Sequence, residues 1–134
     1  MRQHAWLNAV PDEKHAGKGE APRAQSRLAR YRKDGVEPSL PDPGPAAYLV
    51  EYLWDVGPTE PAGMGEAPVS HAQLAAWQAN LGVELHAWEV QTLRRLSRDY
   101  VVQSHQAQDP ACKPPFGELY RSPRVEDKID AALD

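Results

Sequence analysis

Histidine, cysteine and carboxylate side chains are the groups most able to do chemistry, and in this sequence they form no catalytic or metal-binding pattern. The five histidines include no pair four residues apart and have no cysteine partner, while the single Cys112 excludes an internal disulfide. Glu51 and Asp55 share one helical face, which is more typical of a solvated edge than of an acid–base pair. No G-x-S-x-G nucleophile turn occurs. We therefore expect no catalysis, no metal and no cofactor.

Basic and aromatic residues are the candidate contacts for a binding partner. Residues 1–33 carry a net charge of +5, residues 34–92 carry −9 without a single Lys or Arg, and residues 93–134 carry 0, which together give the total of −4. Such polarity is typical of chains that contact partners through charged faces, although the same charges also solvate a small domain. The candidate partner contacts are Arg94, Arg95, Arg98, Trp88, Arg23, Arg27 and Arg30.

Trp88 has two interpretations. It falls on the opposite side of the predicted helix from Leu93, so it either packs beneath the preceding turn or contacts a partner. Of the two, packing beneath the preceding turn is the favoured interpretation.

The elements that must position these residues are predicted to be helical. The chain has 134 residues, about one domain, with 13 prolines and no apolar run of about 18 residues that could span a membrane. The pattern predicts an all-α fold: a small three-helix core over about 46–56, 71–80 and 87–107, with Pro-rich, largely irregular arms. The prolines and glycines of residues 58–68 predict a loop.

The predicted organisation has three parts. Residues 1–44 form a flexible basic arm with a candidate short helix over 22–33 and a Pro-rich connector, and residues 45–109 form the helical core domain. Residues 110–134 form a Pro-rich, charged tail with a candidate short helix over 124–133. The N-terminal residues are too polar for a signal peptide, and together with the lone cysteine they predict a reduced, cytoplasmic setting.

Helix caps and apolar spacing mark the predicted core. Ser70 and Gln73 have the spacing of a capping box, and Gly82 suits the left-handed residue that ends a helix. His86 and Glu89 repeat the box spacing at the start of the last helix. The residues expected in the core or its caps are Trp54, Ser70, Gln73, Trp77, Gly82, Glu89, Leu93, Leu96 and Tyr100.

Two binding functions fit this pair of helices. A helix–turn–helix could place the last helix in a DNA groove, but the acidic flanking segment would repel phosphate. A protein-interaction module, with acidic and basic faces side by side and exposed aromatic anchors, is therefore favoured over nucleic-acid binding.

The helical segments also resemble a known family. A Pro-rich lead precedes "YLVEYLWDVG" and "GMGEAPVSHAQLAAWQANLGVELHAWEVQTLRRLSRDYV", followed by "DP" and prolines. Over about residues 38–110 this is similar to the small tail-assembly proteins of long-tailed phages and prophages, specifically the T-type partner of lambda-like tail assembly chaperones. The residues that carry the resemblance are Trp77, Gly82, Leu85, Trp88, Glu89, Leu93, Leu96 and Tyr100.

The resemblance implies a non-enzymatic role in the cytoplasm during tail morphogenesis. Such chaperones bind the tape-measure protein, help to recruit tail-tube subunits and are absent from the finished virion. Self-association or a partner chaperone is a further candidate interaction, and no membrane partner is expected. Two alternatives remain open: a structural tail or head-completion component that stays in the virion, and a small nucleic-acid-binding regulator.

Overall fold

Five α-helices and one antiparallel β-hairpin make up the part of the chain that the structure describes. The structure is a computed structural model, and it describes residues 1–11 and 25–117. A short 3₁₀ turn over Gly44–Ala46 leads into the third helix. In chain order the elements are α1 (Arg2–Asn8), α2 (Arg27–Lys33), α3 (Ala47–Val56), β1 (Thr59–Ala62), β2 (Gly65–Pro68), α4 (His71–Leu81) and α5 (Ala87–Gln106).

The core lies against one side of α5, which contacts α1, α3 and both strands. Its central cluster of buried side chains consists of Leu49, Leu53, Val69, Leu74 and Leu93. Burial of each of these aliphatic side chains contributes about 1.5–3 kcal/mol to folding. The long helix is therefore held by packing along one face, as amphipathic helices generally are.

The prediction of an all-α fold is wrong, because residues predicted to be a loop form a β-hairpin. β1 pairs with β2 in a register that sets Thr59 opposite Pro68 and Ala62 opposite Gly65. Two residues join the strands, and the first is Gly63. Its φ of 56° is the positive value that the primed turns of two-residue hairpins require at this position. The density of Pro and Gly hid this pattern, since both residues are usually depleted in strands.

A buried serine hydroxyl attaches the hairpin to α5. Ser97 is fully buried, and its Oγ accepts a hydrogen bond from the Val69 N–H at 2.8 Å and donates one to the Pro58 carbonyl at 2.6 Å. These two residues flank the hairpin on either side, so one hydroxyl satisfies the backbone at both of its ends. An unpaired buried backbone group would cost about 1–3 kcal/mol, which makes Ser97 a structural residue of the core.

The prediction of irregular arms is wrong for residues 1–11, since α1 packs onto α5. A seven-residue helix is too short to be stable alone, so α1 depends on tertiary packing. Trp6 and Leu7 supply it, being only 3% and 2% exposed, and the Trp6 Nε1–H donates to the Cys112 carbonyl at 2.9 Å. The second apolar cluster consists of Trp6, Leu7, Tyr31 and Ala107.

The three helices predicted for the core, α3, α4 and α5, lie close to their predicted positions. They do not form the core alone, because α1 and the hairpin also pack against α5. α3, α4 and α5 fall within a residue of the predicted ranges. The helix predicted over 22–33 begins at Arg27, with Ser26 as its N-cap: the Ser26 Oγ accepts from the Ala29 N–H. Residues 22–24 lie outside the described residues. The candidate helix over 124–133 lies outside the described residues.

Replacement of Ser97 tests the attachment of the hairpin. The Ser97→Ala variant leaves the Val69 N–H and the Pro58 carbonyl unpaired, so we expect its free energy of unfolding to fall by about 2–4 kcal/mol in urea denaturation. Ser104→Ala, on the same helix, is the control and should stay within about 0.5 kcal/mol of wild type. Equal stabilities of the two variants would contradict this role.

The packing of His4, on α1, makes the stability of the protein depend on pH. Burial lowers the pKa of His4 below its usual 6.5, the nearby N-terminal ammonium lowers it further, and the ring meets Trp54 edge-on at 5.2 Å. The folded state therefore favours neutral His4, and the stability present above about pH 6.5 is lost as the pH falls below that value.

Denaturation at a series of pH values measures this loss. Between about pH 7 and 5.5 the wild type should lose stability, and His4→Gln should lose less. His71→Gln changes an exposed histidine of α4 and should keep the wild-type slope. If the free energy of unfolding of His4→Gln falls with pH as steeply as that of the wild type, protonation of His4 does not destabilise the fold.

Candidate interaction surface

One side of α5 is uncovered along the whole helix, and we call it the outer face. Its apolar members, Trp88 and Val102, are each 56% exposed. They lie 14 residues apart, which is about 21 Å along a helix axis. Successive members are three or four residues apart, so they form one straight stripe. The outer face consists of the exposed residues Trp88, Gln91, Arg95, Arg98, Val102 and His105.

The orientation of α5 follows from what its opposite side buries. Glu89, Leu93, Ser97, Tyr100 and Gln103 are all buried, and they point toward α1, α3 and the hairpin. Residues on a helix rotate by about 100° each, so burial of this set turns the outer face away from the core.

The first turn of α5 is fixed by the Glu89 carboxylate. It accepts hydrogen bonds from the His86 backbone N–H and from the Tyr48 hydroxyl, both at 2.9 Å. These two hydrogen bonds lower the pKa of Glu89, and the bond from His86 has the larger effect. The pKa of Tyr48 is raised, mainly by desolvation and also by its bond to Glu89. The predicted pairing of His86 with Glu89 is thus confirmed, since a capping box is present at the start of α5.

The prediction that Trp88 packs beneath the preceding turn is wrong. Because Glu89 is turned inward, its neighbour Trp88 is rotated out of the core, and more than half of its surface is exposed. The other interpretation, that Trp88 contacts a partner, stays a prediction.

The three arginines predicted as one cluster occupy different environments. Arg95 and Arg98 are exposed, and within the described residues neither guanidinium has a carboxylate within ion-pair distance. Arg94 is half-buried on the side of α5 that faces the hairpin, and its Nε–H donates to the Val69 carbonyl at 3.4 Å. The neighbouring Asp99 pairs with Arg2 at 3.8 Å. Arg95 and Arg98 therefore are the two guanidiniums of α5 that are available to a ligand.

The prediction that Arg27 contacts a partner is wrong, because its guanidinium is built into the fold. Arg27 is 7% exposed and donates to the carbonyls of Trp6 at 3.1 Å, Ala107 at 2.7 Å and Asp109 at 3.0 Å. It also lies 4.7 Å from the centre of the Trp6 ring. Desolvation is the main cause that lowers the pKa of Arg27.

The other two residues of the predicted basic arm do not extend the outer face in this structure. Arg30 is exposed on α2, an element apart from α5. Arg23 lies outside the described residues.

The predicted caps of α4 are present, with one difference. The Ser70 Oγ accepts from the Gln73 N–H at 3.1 Å, and Gly82 ends the helix with a φ of 66°. Gln73 does not complete the box: its buried Oε1, the atom that would accept from the Ser70 N–H, has no hydrogen-bond partner, while its Nε2 donates to the Val56 carbonyl at the end of α3 at 3.2 Å. That carbonyl needs a partner at a helix C-terminus, so Gln73 links two helices rather than capping its own.

The aromatic residues predicted for the core are buried to different degrees. Trp77 is buried and its Nε1–H donates to the Asp55 carboxylate at 2.7 Å. Tyr100 is buried and its hydroxyl accepts from the Asn8 side-chain amide at 3.1 Å. Trp54 meets Tyr100 edge-on but remains 38% exposed, so it lies at the rim of the core.

The two leucines predicted for the core both pack in the central cluster. Leu93 is fully buried there, and Leu96 is partly buried against it.

Sequence reasoning missed three members of the outer face. Gln91, Val102 and His105 are exposed beside the residues that were predicted. The available signal was a second repeat: Trp88, Arg95 and Val102 are seven residues apart, and so are Gln91, Arg98 and His105.

No protein family, curated protein or solved structure matches this chain. Within residues 1–11 and 25–117 there is no group of three or more His, Cys, Asp or Glu that could hold a metal ion. None of the helices in these ranges is long and apolar enough to cross a bilayer.

Replacement of Arg27 tests its structural role. Lys keeps the positive charge but cannot reproduce a fork that reaches three carbonyls, so Arg27→Lys should lower the free energy of unfolding by about 1–3 kcal/mol. Hydrogen exchange should also speed up at the amides of α1. Arg30→Lys, at an exposed site, should change neither. If both variants behave alike, Arg27 does not hold the second cluster together.

Proposed function

We propose that this protein is a phage tail assembly chaperone-like protein, which binds the tape-measure protein, tail-tube subunits or both during tail morphogenesis and does no catalysis. The proposed setting is the cytoplasm of the infected or lysogenic bacterium. The observation that carries the proposal is the exposed outer face of α5, with an exposed Trp88 and two guanidiniums that pair with no carboxylate of residues 1–11 or 25–117. Protein interfaces are enriched in Trp and Arg, and these residues often dominate binding energy.

The motif behind the family resemblance divides into positioning residues and a contact residue. Trp77, Glu89, Leu93 and Tyr100 are buried, so they support the fold. Trp88 is 56% exposed, so most of its indole surface can reach a partner. The resemblance therefore agrees with a scaffold that presents one aromatic side chain to a partner.

The dimensions of the outer face suit reversible binding. Its six side chains lie on one helix, and a surface of this kind buries less area than the about 1,200–2,000 Å² typical of stable complexes. Exposed arginines speed encounter with an oppositely charged partner and make its binding sensitive to salt. An assembly factor has to dissociate when subunits polymerise, and a small charged face permits that.

Affinity purification tests the proposed function. The tagged protein is expressed with the tail genes of the phage or prophage that encodes it, and co-purifying species are identified by mass spectrometry and by the 260/280 nm absorbance ratio. We expect the tape-measure or tail-tube protein without nucleic acid. Recovery of nuclease-sensitive nucleic acid without tail proteins would contradict the proposal and support a regulator.

Paired variants connect the result to the outer face. Trp88→Ala with Arg95→Glu and Arg98→Glu should abolish recovery of the tail proteins, while circular dichroism stays that of the wild type, since all three sites are exposed. Arg30→Glu with Arg32→Glu makes the same charge change on α2 and should retain recovery. Recovery by both variants would exclude the outer face as the binding surface.

A further inference from the structure

The structure assigns a partner of defined chemistry to the outer face of α5: we infer that an acidic amphipathic α-helix lies along it. Its apolar side chains meet Trp88 and Val102, and its carboxylates meet Arg95 and Arg98, which lie between them. The inference rests on the proposed function in that it takes the outer face to be the surface that binds protein.

The partner segment is helical because the outer face offers side chains and no backbone. The backbone N–H and C=O groups in the middle of α5 are bonded within the helix, so an extended peptide lying on it would bury unpaired groups of its own. A helix satisfies its own backbone and can present a stripe of side chains. The seven-residue spacing of Trp88, Arg95 and Val102 is the repeat with which two helices pack along their length.

The partner is acidic because arginine supplies donors only. Each guanidinium has five N–H groups and no acceptor, so a carboxylate is the side chain that pairs with it best. Within the described residues Arg95 and Arg98 are exposed and have no such carboxylate. A partner with Lys or Arg at the facing positions would be repelled.

A second copy of α5 does not fit as this partner. In an antiparallel pair, residues 88–105 of the two copies align so that Arg95 of one copy faces Arg98 of the other. In a parallel pair, each arginine faces its own equivalent. Both arrangements place like charges together at the centre of the stripe, which opposes self-association through this face.

Nucleic acid fits the outer face less well than an acidic helix does. Affinity for nucleic acid comes largely from many phosphate contacts, and this stripe provides two guanidiniums between two apolar side chains. A phosphate backbone carries a charge at every nucleotide, whereas an acidic helix needs carboxylates only at the positions that face Arg95 and Arg98.

Designed peptides test the inference with the full-length protein. The probe is a fluorescein-labelled, alanine-based helical peptide of about 20 residues, with leucines two heptads apart and glutamates at the three stripe positions between them. Its twin carries lysines at those three positions, and both residues favour helix. Fluorescence anisotropy should show the acidic peptide binding at least about tenfold more tightly, with the difference shrinking in ~0.5 M salt.

Protein variants locate the binding. Arg95→Glu with Arg98→Glu should reverse the preference in favour of the lysine peptide, and Trp88→Ala should weaken both peptides by a similar factor. Arg30→Glu with Arg32→Glu should keep the wild-type preference. Equal affinities of the two peptides, or an acidic preference that survives Arg95→Glu with Arg98→Glu, would overturn the inference.

Two further results would assign the face to another occupant. A wild-type dimer in sedimentation that Val102→Glu dissociates would show that a second copy covers it. Binding of labelled duplex DNA that is lost in Arg95→Glu with Arg98→Glu would show that nucleic acid does. Either result overturns the inference.

The peptide experiment tests the partner chemistry and the purification tests the proposed function, so either claim can fail without the other. If the acidic peptide binds as expected but no tail protein co-purifies, the partner chemistry stands and the proposed function fails. If tail proteins co-purify and the peptides do not discriminate, the proposed function stands and the acidic helix is wrong.

Discussion

The burial of one side of α5 is the constraint on which the rest of this structure depends. Leu93 lies in the central cluster with Leu49 and Leu53 of α3, and the neighbouring Ser97 hydroxyl holds both ends of the hairpin. Because α1, α3 and the hairpin all contact α5, its inward side is fully used. A helix buried on one side leaves its other side in solvent. The exposed outer face, the proposed interaction surface, is therefore a consequence of how the core is built.

Local signals in the sequence predicted much of the helical structure. Ser70 and Gly82 cap α4 through bonds that span only a few residues, so their spacing is visible in the sequence itself. The hairpin was missed because prolines in its strands oppose the usual strand preferences. Its two-residue turn beginning with Gly63 was the signal that could have indicated it.

Contacts between distant segments could not be predicted in this way. The Trp6 indole bonds to a carbonyl 106 residues away, and Arg27 joins α1 to the end of α5. An arginine that bonds to backbone carbonyls looks the same in a sequence as one that binds a partner, so the sequence alone predicts that Arg27 is a partner contact. Trp88 shows the converse error, since hydrophobicity alone does not tell which side of a helix is covered.

Photo-crosslinking measures directly whether the outer face of α5 meets the partner. A photoreactive amino acid replaces either Gln91 on the outer face or Ala75, which is exposed on α4, and the cells express the tail genes with which the protein is proposed to act. Our account predicts a covalent adduct with a tail protein from position 91 and none from position 75. An adduct from position 75 without one from position 91 would contradict it, because the partner would then bind a different side of the fold.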